Sequence, residues 1–257
     1  MTPRVTRIRR YPVKGLSGED LERVELTAGQ TLPGDRRFAI ARGSADLPPV
    51  QPGWAPKKNF VQLARTARLG QLQTAFDADT GLLTISRRGK RITQGRITTA
   101  TGRMVIEQFL GAFLAGEVST APRLVDAQDT PLTDSQDAVV SLINLESVRD
   151  LRRVLGHEVD PRRFRANVYL DGLPAWAERA WVGEAVTIGP LRLQVTEETQ
   201  RCAATTVNPD TGERDEQIPK ALKRGYGHVN MGVYARVTVG GPLTVGDPVS
   251  VPETVSA

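Results

Sequence analysis

Gln200-Arg201-Cys202-Ala203-Ala204-Thr205-Thr206-Val207-Asn208-Pro209-Asp210-Thr211-Gly212 contains the only cysteine in a chain of 257 residues. An arginine precedes it, two threonines follow, and Asn208 to Gly212 is a run of turn formers. The strand-like segment Leu191 to Val195 leads in. A soft ligand or nucleophile is therefore expected where a strand opens into a polar loop, a place where a rigid scaffold can present reactive groups. Arg201 favours the thiolate if its head group faces the sulfur. Thiolate is the form that attacks electrophiles or binds soft metals. The alternative is an inert cysteine in the core.

Working outward, composition narrows the partners. The chain is 39% apolar and 25% charged, the balance of a globular protein with a real core. Its net charge is +5 and its pI about 9.6. Such a balance suits nucleic acid, an ordinary solvated surface, or a few cations around a small anion. The positive residues are dispersed among acids, the densest local group being Arg7, Arg9 and Arg10, and aromatics make up only 5%. Neither a basic stripe nor a stacking platform is present, so no nucleic-acid partner is expected. No apolar run approaches the ~18 residues of a membrane span. Met1 to Arg7 lacks the apolar core of a secretion signal. One cysteine cannot form an internal disulfide, and the expected setting is cytoplasmic.

Residues 4–13, 21–26 and 36–41 read as strands. Residues 43–58 read as a Pro- and Gly-rich loop whose Trp54 is a lid or a packing plug. A meander follows near 69–76, 82–86 and 91–97, then a helix at about 102–115. A second helix at about 145–155 has Asn144 as its N-cap. Further strands are expected at 165–170, 184–189, 191–197, 231–239 and 244–251. Helices do not alternate with strands, which argues against a doubly wound parallel sheet. The expectation is an α+β fold, predominantly antiparallel β, with a barrel-like core, a smaller N-terminal β region and a few helices.

Familiar sites are absent: no P-loop, no Gly-x-Gly-x-x-Gly after a strand, no Cys-x-x-Cys and no His-Glu-x-x-His. His157 and His228 are the only histidines, too few for a multi-histidine zinc site. A Cys-ligated iron–sulfur cluster is excluded by the cysteine count. Glu197 and Glu198 are adjacent on a strand and face opposite ways, so they form no acid/base dyad.

Four elements resemble one family. Arg201-Cys202 with Thr205 to Gly212 resembles the signature of the MOSC domain, the molybdenum-cofactor sulfurase C-terminal family. Tyr11-Pro12-Val13-Lys14-Gly15 and Gly34-Asp35-Arg36-Arg37-Phe38 resemble the opening of its N-terminal β-barrel region. Arg163-Phe164-Arg165-Ala166-Asn167 resembles its Phe-Arg-Pro-Asn element, and Val245-Gly246-Asp247-Pro248-Val249 its closing strand. Within the family, the chain resembles the amidoxime-reducing proteins of mitochondria and their bacterial counterparts. The resemblance implies an N-terminal β-barrel-like domain over 1–100 and a MOSC domain over 101–257.

It also implies a molybdenum cofactor, a metal on the dithiolene of molybdopterin with a phosphate tail. By resemblance Cys202 is the sulfur ligand of the metal and the catalytic residue. Lys14, the Gly15 backbone, Arg36 and Arg165 match positions that hold the cofactor. Arg201, Asn167, Thr205 and Thr206 are candidates for contacts to the pterin or metal centre. Each has an ordinary alternative, as a solvated charge or a turn residue. If Arg36 grips a phosphate as a planar fork, Arg36→Lys should cost more than charge counting suggests.

Three departures stand out. Asn208 replaces a common Asp, Ala166 a common Pro, and Gly15 the Ser of mitochondrial relatives. The chain also lacks the cysteines of the ferredoxin domain that some bacterial relatives carry. The implied activity is reduction of small N-hydroxylated compounds, such as amidoximes, hydroxylamines or N-hydroxylated base analogues. Electrons would come from a separate donor protein of ferredoxin or flavoprotein type. Two alternatives are a cofactor carrier or sulfur-transfer module, and a hydrolase or transferase pairing Cys202 with His157 or His228.

Overall fold

The computed structural model describes residues 2–128 and 130–252. The outer limits of the two expected domains, Met1 and residues 253–257, lie outside these. In chain order the strands are β1 (Arg4–Arg10), β2 (Val13–Lys14), β3 (Glu19–Leu21), β4 (Arg23–Leu26), β5 (Phe38–Ala41), β6 (Gln73–Asp77), β7 (Leu82–Arg87) and β8 (Lys90–Arg96). After helix α1 (Ala100–Phe113) come β9 (Arg123–Asp126), β10 (Val140–Asn144), α2 (Leu145–Asp150), α3 (Arg152–Leu155) and β11 (Val168–Asp171). Then follow β12 (Ala185–Ile188), β13 (Leu191–Gln200), α4 (Ile218–Tyr226), β14 (Asn230–Val239), β15 (Gly241–Thr244) and β16 (Val249–Ser250). The fold is α+β with mostly antiparallel pairing, as expected.

Eight strands form one sheet in the order β16-β12-β13-β14-β10-β11-β1-β3. Its only parallel pair is β10 with β11. No closed ring of strands forms among the described residues. The sheet nevertheless curls until its ends approach: Val5 N donates to Asp247 O at 2.9 Å and Val249 N to Pro3 O at 2.9 Å. Alternation along β13 turns one face inward, with Leu191, Leu193 and Val195 buried in one cluster with Val5, Val186, Val233 and Val237. Burying each such side chain is worth about 1.5–3 kcal/mol, so this concave face is the main core.

The N-terminal part has a separate core. β2, β5 and β9 form a three-stranded sheet, and β6, β7 and β8 the anticipated meander. Ile106, Leu110 and Phe113 of α1 pack with Phe38, Ile40, Leu83 and Ile85. Thr99 caps α1 by accepting from Gly102 N at 3.1 Å. The large sheet also draws β1 from the start of the chain, so the two parts share a sheet.

Some elements differ from expectation. The helix expected over 145–155 is two short helices meeting at Leu151. The strand expected from 165 begins at Val168, because Asp160 caps a 3-10 turn at 161–164 and Arg165 then turns left-handed, with φ 53°. The strand expected over 244–251 is split into β15 and β16 where Asp247 Oδ2 accepts from Thr244 N. Sequence reading missed β9, β10 and α4. The helix α4 has Pro near its start and buries Ile218, Ala221 and Leu222 on one face.

Candidate functional site

Strand pairing brings distant motifs together. β2 pairs in parallel with β5, setting Val13 against Phe38 and Lys14 against Ala39. Gly15 thus follows the last residue of β2, while Arg36 precedes β5 at the other end of the pair, beside Tyr11, whose carbonyl accepts from Arg36 N at 2.7 Å. In the large sheet, β14 joins β13 to β10, and β10 joins β11, so the 163–167 segment and the end of β13 come side by side. Arg201 Nη1 donates to Phe164 O at 2.8 Å, linking the two directly. Arg9 N donates to Asn167 O at 2.6 Å, linking the second segment to β1.

A cavity of about 150 Å³ opens at this junction. Of the nine residues singled out from sequence, Lys14, Gly15, Arg36, Arg165, Asn167, Arg201, Cys202 and Thr205 line it. Thr206 does not: its hydroxyl donates to Ala203 O at 2.8 Å and accepts from Arg214 at 2.7 Å. Cys202 is exposed, directly after β13 and just before a 3-10 turn at 203–206. Thr205 folds that turn, donating through its hydroxyl to Cys202 O at 2.9 Å. The thiol therefore stands at the wall of a cavity, not in the core.

The cations are held without being fully neutralised. Lys14 Nζ donates to Leu132 O at 2.8 Å and to Asp134 Oδ1 at 2.5 Å. Burial pushes this ammonium below its ordinary value despite the Asp134 charge. Burial would raise the Asp134 carboxyl, but Lys14 outweighs it and holds the group below the usual carboxylate range. Arg36 pairs with the buried Asp35 and donates to Arg165 O at 2.8 Å. Arg165 donates to Leu16 O at 2.7 Å, and burial pushes its guanidinium down to about 10. The Tyr11 ring lies 4.5 Å from the Arg36 guanidinium and 4.3 Å from that of Arg165, holding both by cation–π attraction.

Arg36 and Arg165 are both in the left-handed region, at φ 49° and 53°. Such residues cost roughly 1–3 kcal/mol each and persist where the surroundings over-determine them. Arg36 N donates to Tyr11 O at 2.7 Å and Leu132 N to Arg36 O at 2.9 Å, which fixes that conformation.

Arg201 donates from Nε to Met231 O and from Nη1 to Phe164 O, both at 2.8 Å, while its buried Nη2 has no partner. Burial pushes its guanidinium below its ordinary value as well. Asn167, by contrast, has its amide used by the fold. Its Oδ1 accepts from Ser141 N and Oγ, at 3.2 and 2.8 Å, and its Nδ2 donates to Arg9 O at 3.1 Å. Asn208 caps its own turn, accepting from Asp210 N and Thr211 N, so the common Asp is replaced by an equivalent acceptor. Gly15 has φ 87°, and a Cβ there would meet Leu69 Cδ1 at 3.3 Å, which explains how a Ser-free position serves the turn.

Sequence reading missed Asp134, Lys57, Tyr234 and Ser141 as wall residues and treated Arg163 only as part of a motif. Arg163 is 7% exposed, pairs with Asp215 at 2.8 Å and keeps an unpartnered Nε. Its place in the quoted Arg-Phe-Arg run was the available signal. Trp54 donates to Thr133 O at 3.2 Å and so ties the 43–58 loop to the cavity wall. Neither histidine lines the cavity: His157 pairs with Glu216, and His228 packs against Trp176 and Tyr226.

Across the described residues no set of three His, Cys, Asp or Glu side chains could hold a metal. The arrangement is one exposed thiol beside a cluster of partly or fully buried cations.

Comparison with known proteins agrees in kind. The MOSC N-terminal beta barrel domain model matches residues 2–130, and the MOSC domain model residues 129–250. The chain belongs to the MOSC family. It is 27% identical over 252 residues to the molybdenum cofactor sulfurase of Caenorhabditis elegans, covering 92% of this chain and 34% of the sulfurase. It is 35% identical over 80 residues to mitochondrial amidoxime-reducing component 1 of Mus musculus, covering 31% of this chain and 23% of that protein. The chain thus spans about a third or less of the length of these curated relatives. Among solved structures, the YUAD protein of Bacillus subtilis aligns over 97% of this chain and 94% of its own, at 13% identity and a TM-score of 0.44. No helix among the described residues is long and apolar enough to cross a membrane.

Proposed function

We propose that this protein binds a molybdenum cofactor and reduces small N-hydroxylated compounds with electrons from a separate donor protein. The observation that carries this reading is one cavity in which Cys202 meets Lys14, Arg36, Arg165 and Arg201, drawn from four separate stretches of the chain. The residues fit such a group. An exposed sulfur suits one open ligand position, and the unpartnered Nη2 of Arg201 offers a donor to an anionic or polar edge.

When bound, the cofactor supplies the two-electron redox chemistry that cleaves an N–O bond. Cys202 Sγ would hold the metal, and Lys14, Arg36 and Arg165 would hold the phosphate tail by charge and fork geometry. Gly15, at φ 87°, turns the chain at the cavity wall next to Lys14. The overall change is R–NHOH plus two electrons and two protons, giving R–NH2 and water.

The second reading is a cofactor carrier or sulfur-transfer module. It is favoured by the match of 92% of this chain to a third of the cofactor sulfurase of Caenorhabditis elegans. The thiol–histidine hydrolase reading lacks support, since neither histidine lines the cavity.

Metal analysis and pterin fluorescence on protein from a cofactor-producing host test the main claim. Stoichiometric molybdenum is expected, and Cys202→Ala should lose it. An absence of molybdenum from the wild type sinks both reductase and carrier. Benzamidoxime turnover with an artificial electron donor then separates those two, and replacing both histidines should leave turnover intact.

A further inference from the structure

Asp134 is the single carboxylate among the described cavity-lining residues, facing six cationic side chains: Lys14, Arg36, Lys57, Arg163, Arg165 and Arg201. Its Oδ1 lies 2.5 Å from Lys14 Nζ. The Lys14 side chain is 11% exposed and that of Asp134 is 50% exposed. The lysine belongs to the wall, and the carboxylate reaches it from the open side. Asp134 sits on a segment, 130–139, without helix or strand. Its base is anchored, with Leu132 N on Arg36 O and Trp54 Nε1 on Thr133 O. Among the described residues the only hydrogen bond of the Asp134 side chain is the one to Lys14. A negatively charged group therefore already rests where an anionic ligand would be held.

We propose that Asp134 is an exchangeable internal counter-ion: its carboxylate occupies the Lys14 seat, and an incoming phosphate group binds by displacing it. This rests on reading the cavity as an anion site, not on the presence of molybdenum. Any anion that binds at Lys14 forfeits the free energy of the Lys14–Asp134 pair, so the aspartate sets a threshold for entry. A monocarboxylate merely trades places with Asp134. A phosphate dianion brings additional charge for Arg36 and Arg165, both close enough to depress the Lys14 ammonium. Lys14 stays paired while the cavity lacks such a ligand, which limits the cost of burying its ammonium.

The test titrates inorganic phosphate calorimetrically into the full-length, cofactor-free protein. Four forms are compared: wild type, Asp134→Asn, Lys14→Met and the double variant, each checked for folding by thermal melting. Asp134→Asn should bind phosphate about tenfold tighter than wild type, a coupling of ordinary size. In the Lys14→Met background the same change should shift affinity by less than about twofold, closing a double-mutant cycle. The proposal is overturned if Asp134→Asn binds phosphate no tighter, if neither protein binds it, or if the gain persists without Lys14. Molybdenum content is measured separately. Phosphate exchange without molybdenum would sink the proposed function and leave the counter-ion role standing; molybdenum without the Asp134→Asn gain would do the reverse.

Discussion

Arg149 and Arg165 are the same side chain in opposite settings. Arg149, on the exposed face of α2, meets Glu146 at 2.5 Å and Asp171 at 2.8 Å. Hydrogen bonding to Asp171 pushes its guanidinium above the ordinary value. Arg165 points into the fold, bonded to Leu16 O and lying against the Tyr11 ring, with no carboxylate in ion-pair contact among the described residues. Burial pushes it down to about 10. Arg201 repeats the second pattern with two carbonyl partners. A carbonyl oxygen orients a guanidinium as well as a carboxylate does, but leaves its charge unspent. Arg149 is therefore charge-paired at the surface, whereas Arg165 and Arg201 are aimed by carbonyls with no carboxylate in ion-pair contact among the described residues, which is the condition for attracting an anion.

Replacing one arginine from each setting should separate them most sharply. Arg165→Met should weaken phosphate binding by the cofactor-free protein roughly 10- to 100-fold, the size of a charge-assisted hydrogen bond. Arg149→Met should leave it within about twofold. Equal losses on calorimetric titration would mean that net charge alone draws the anion.

The orientation of Arg201 is the next target. Gly232 has φ 73°, and a Cβ there would sit 2.5 Å from Leu142 O and 3.2 Å from Arg201 Nη2. Gly232→Ala should cost about 2 kcal/mol of stability in a chemical melt and loosen phosphate binding with it. Unchanged binding in a destabilised variant would show that Arg201 does not hold the anion.

Glu178 is the acidic mirror of Arg165, 1% exposed, held by Ser147 Oγ at 2.8 Å and Asn144 Nδ2 at 3.1 Å, with Oε1 unpartnered. Burial raises its carboxyl above the ordinary 4.5. The native state then holds the proton more tightly than the unfolded chain. Stability should fall as pH rises from about 4.5 through the raised native value and stay lower above it. Glu178→Gln should remove that slope and add about 1 kcal/mol at neutral pH; thermal melts across pH 4–8 check it. The smallest effect belongs to the exposed Arg162–Asp210 pair, 2.6 Å apart. Asp210→Asn should cost under about 1 kcal/mol in a urea melt and leave phosphate binding unchanged.

Much of this was legible along the chain, for reasons that differ by element. The meander at 73–96 and helix α1 follow from local patterning, two-residue alternation and turns in one case and a 3.6-residue stripe in the other. The strand β10 was not legible, because its residues are buried on both faces and show no alternation. Arg165 defeated local reasoning differently: a non-glycine residue in the left-handed region is a choice no propensity favours, and only its neighbours in space impose it. Asp134 carried no local signal, since its lysine is 120 residues away.

The sequence by itself determined the chemical inventory: one thiol, a dispersed set of arginines, few histidines, and four motifs in family order. Those are properties of residue type and local spacing, and they survive any rearrangement in space. Which arginines keep their charge available was decided only by the tertiary structure. Strand pairing places Lys14, Arg36, Arg165 and Arg201 around one cavity and gives each a different partner. Charge compensation depends on distances of a few ångströms between groups far apart in the chain, and the order of residues does not encode those distances locally. Cys202 is a cysteine in any conformation; the fold puts it at the wall of a cation-lined cavity.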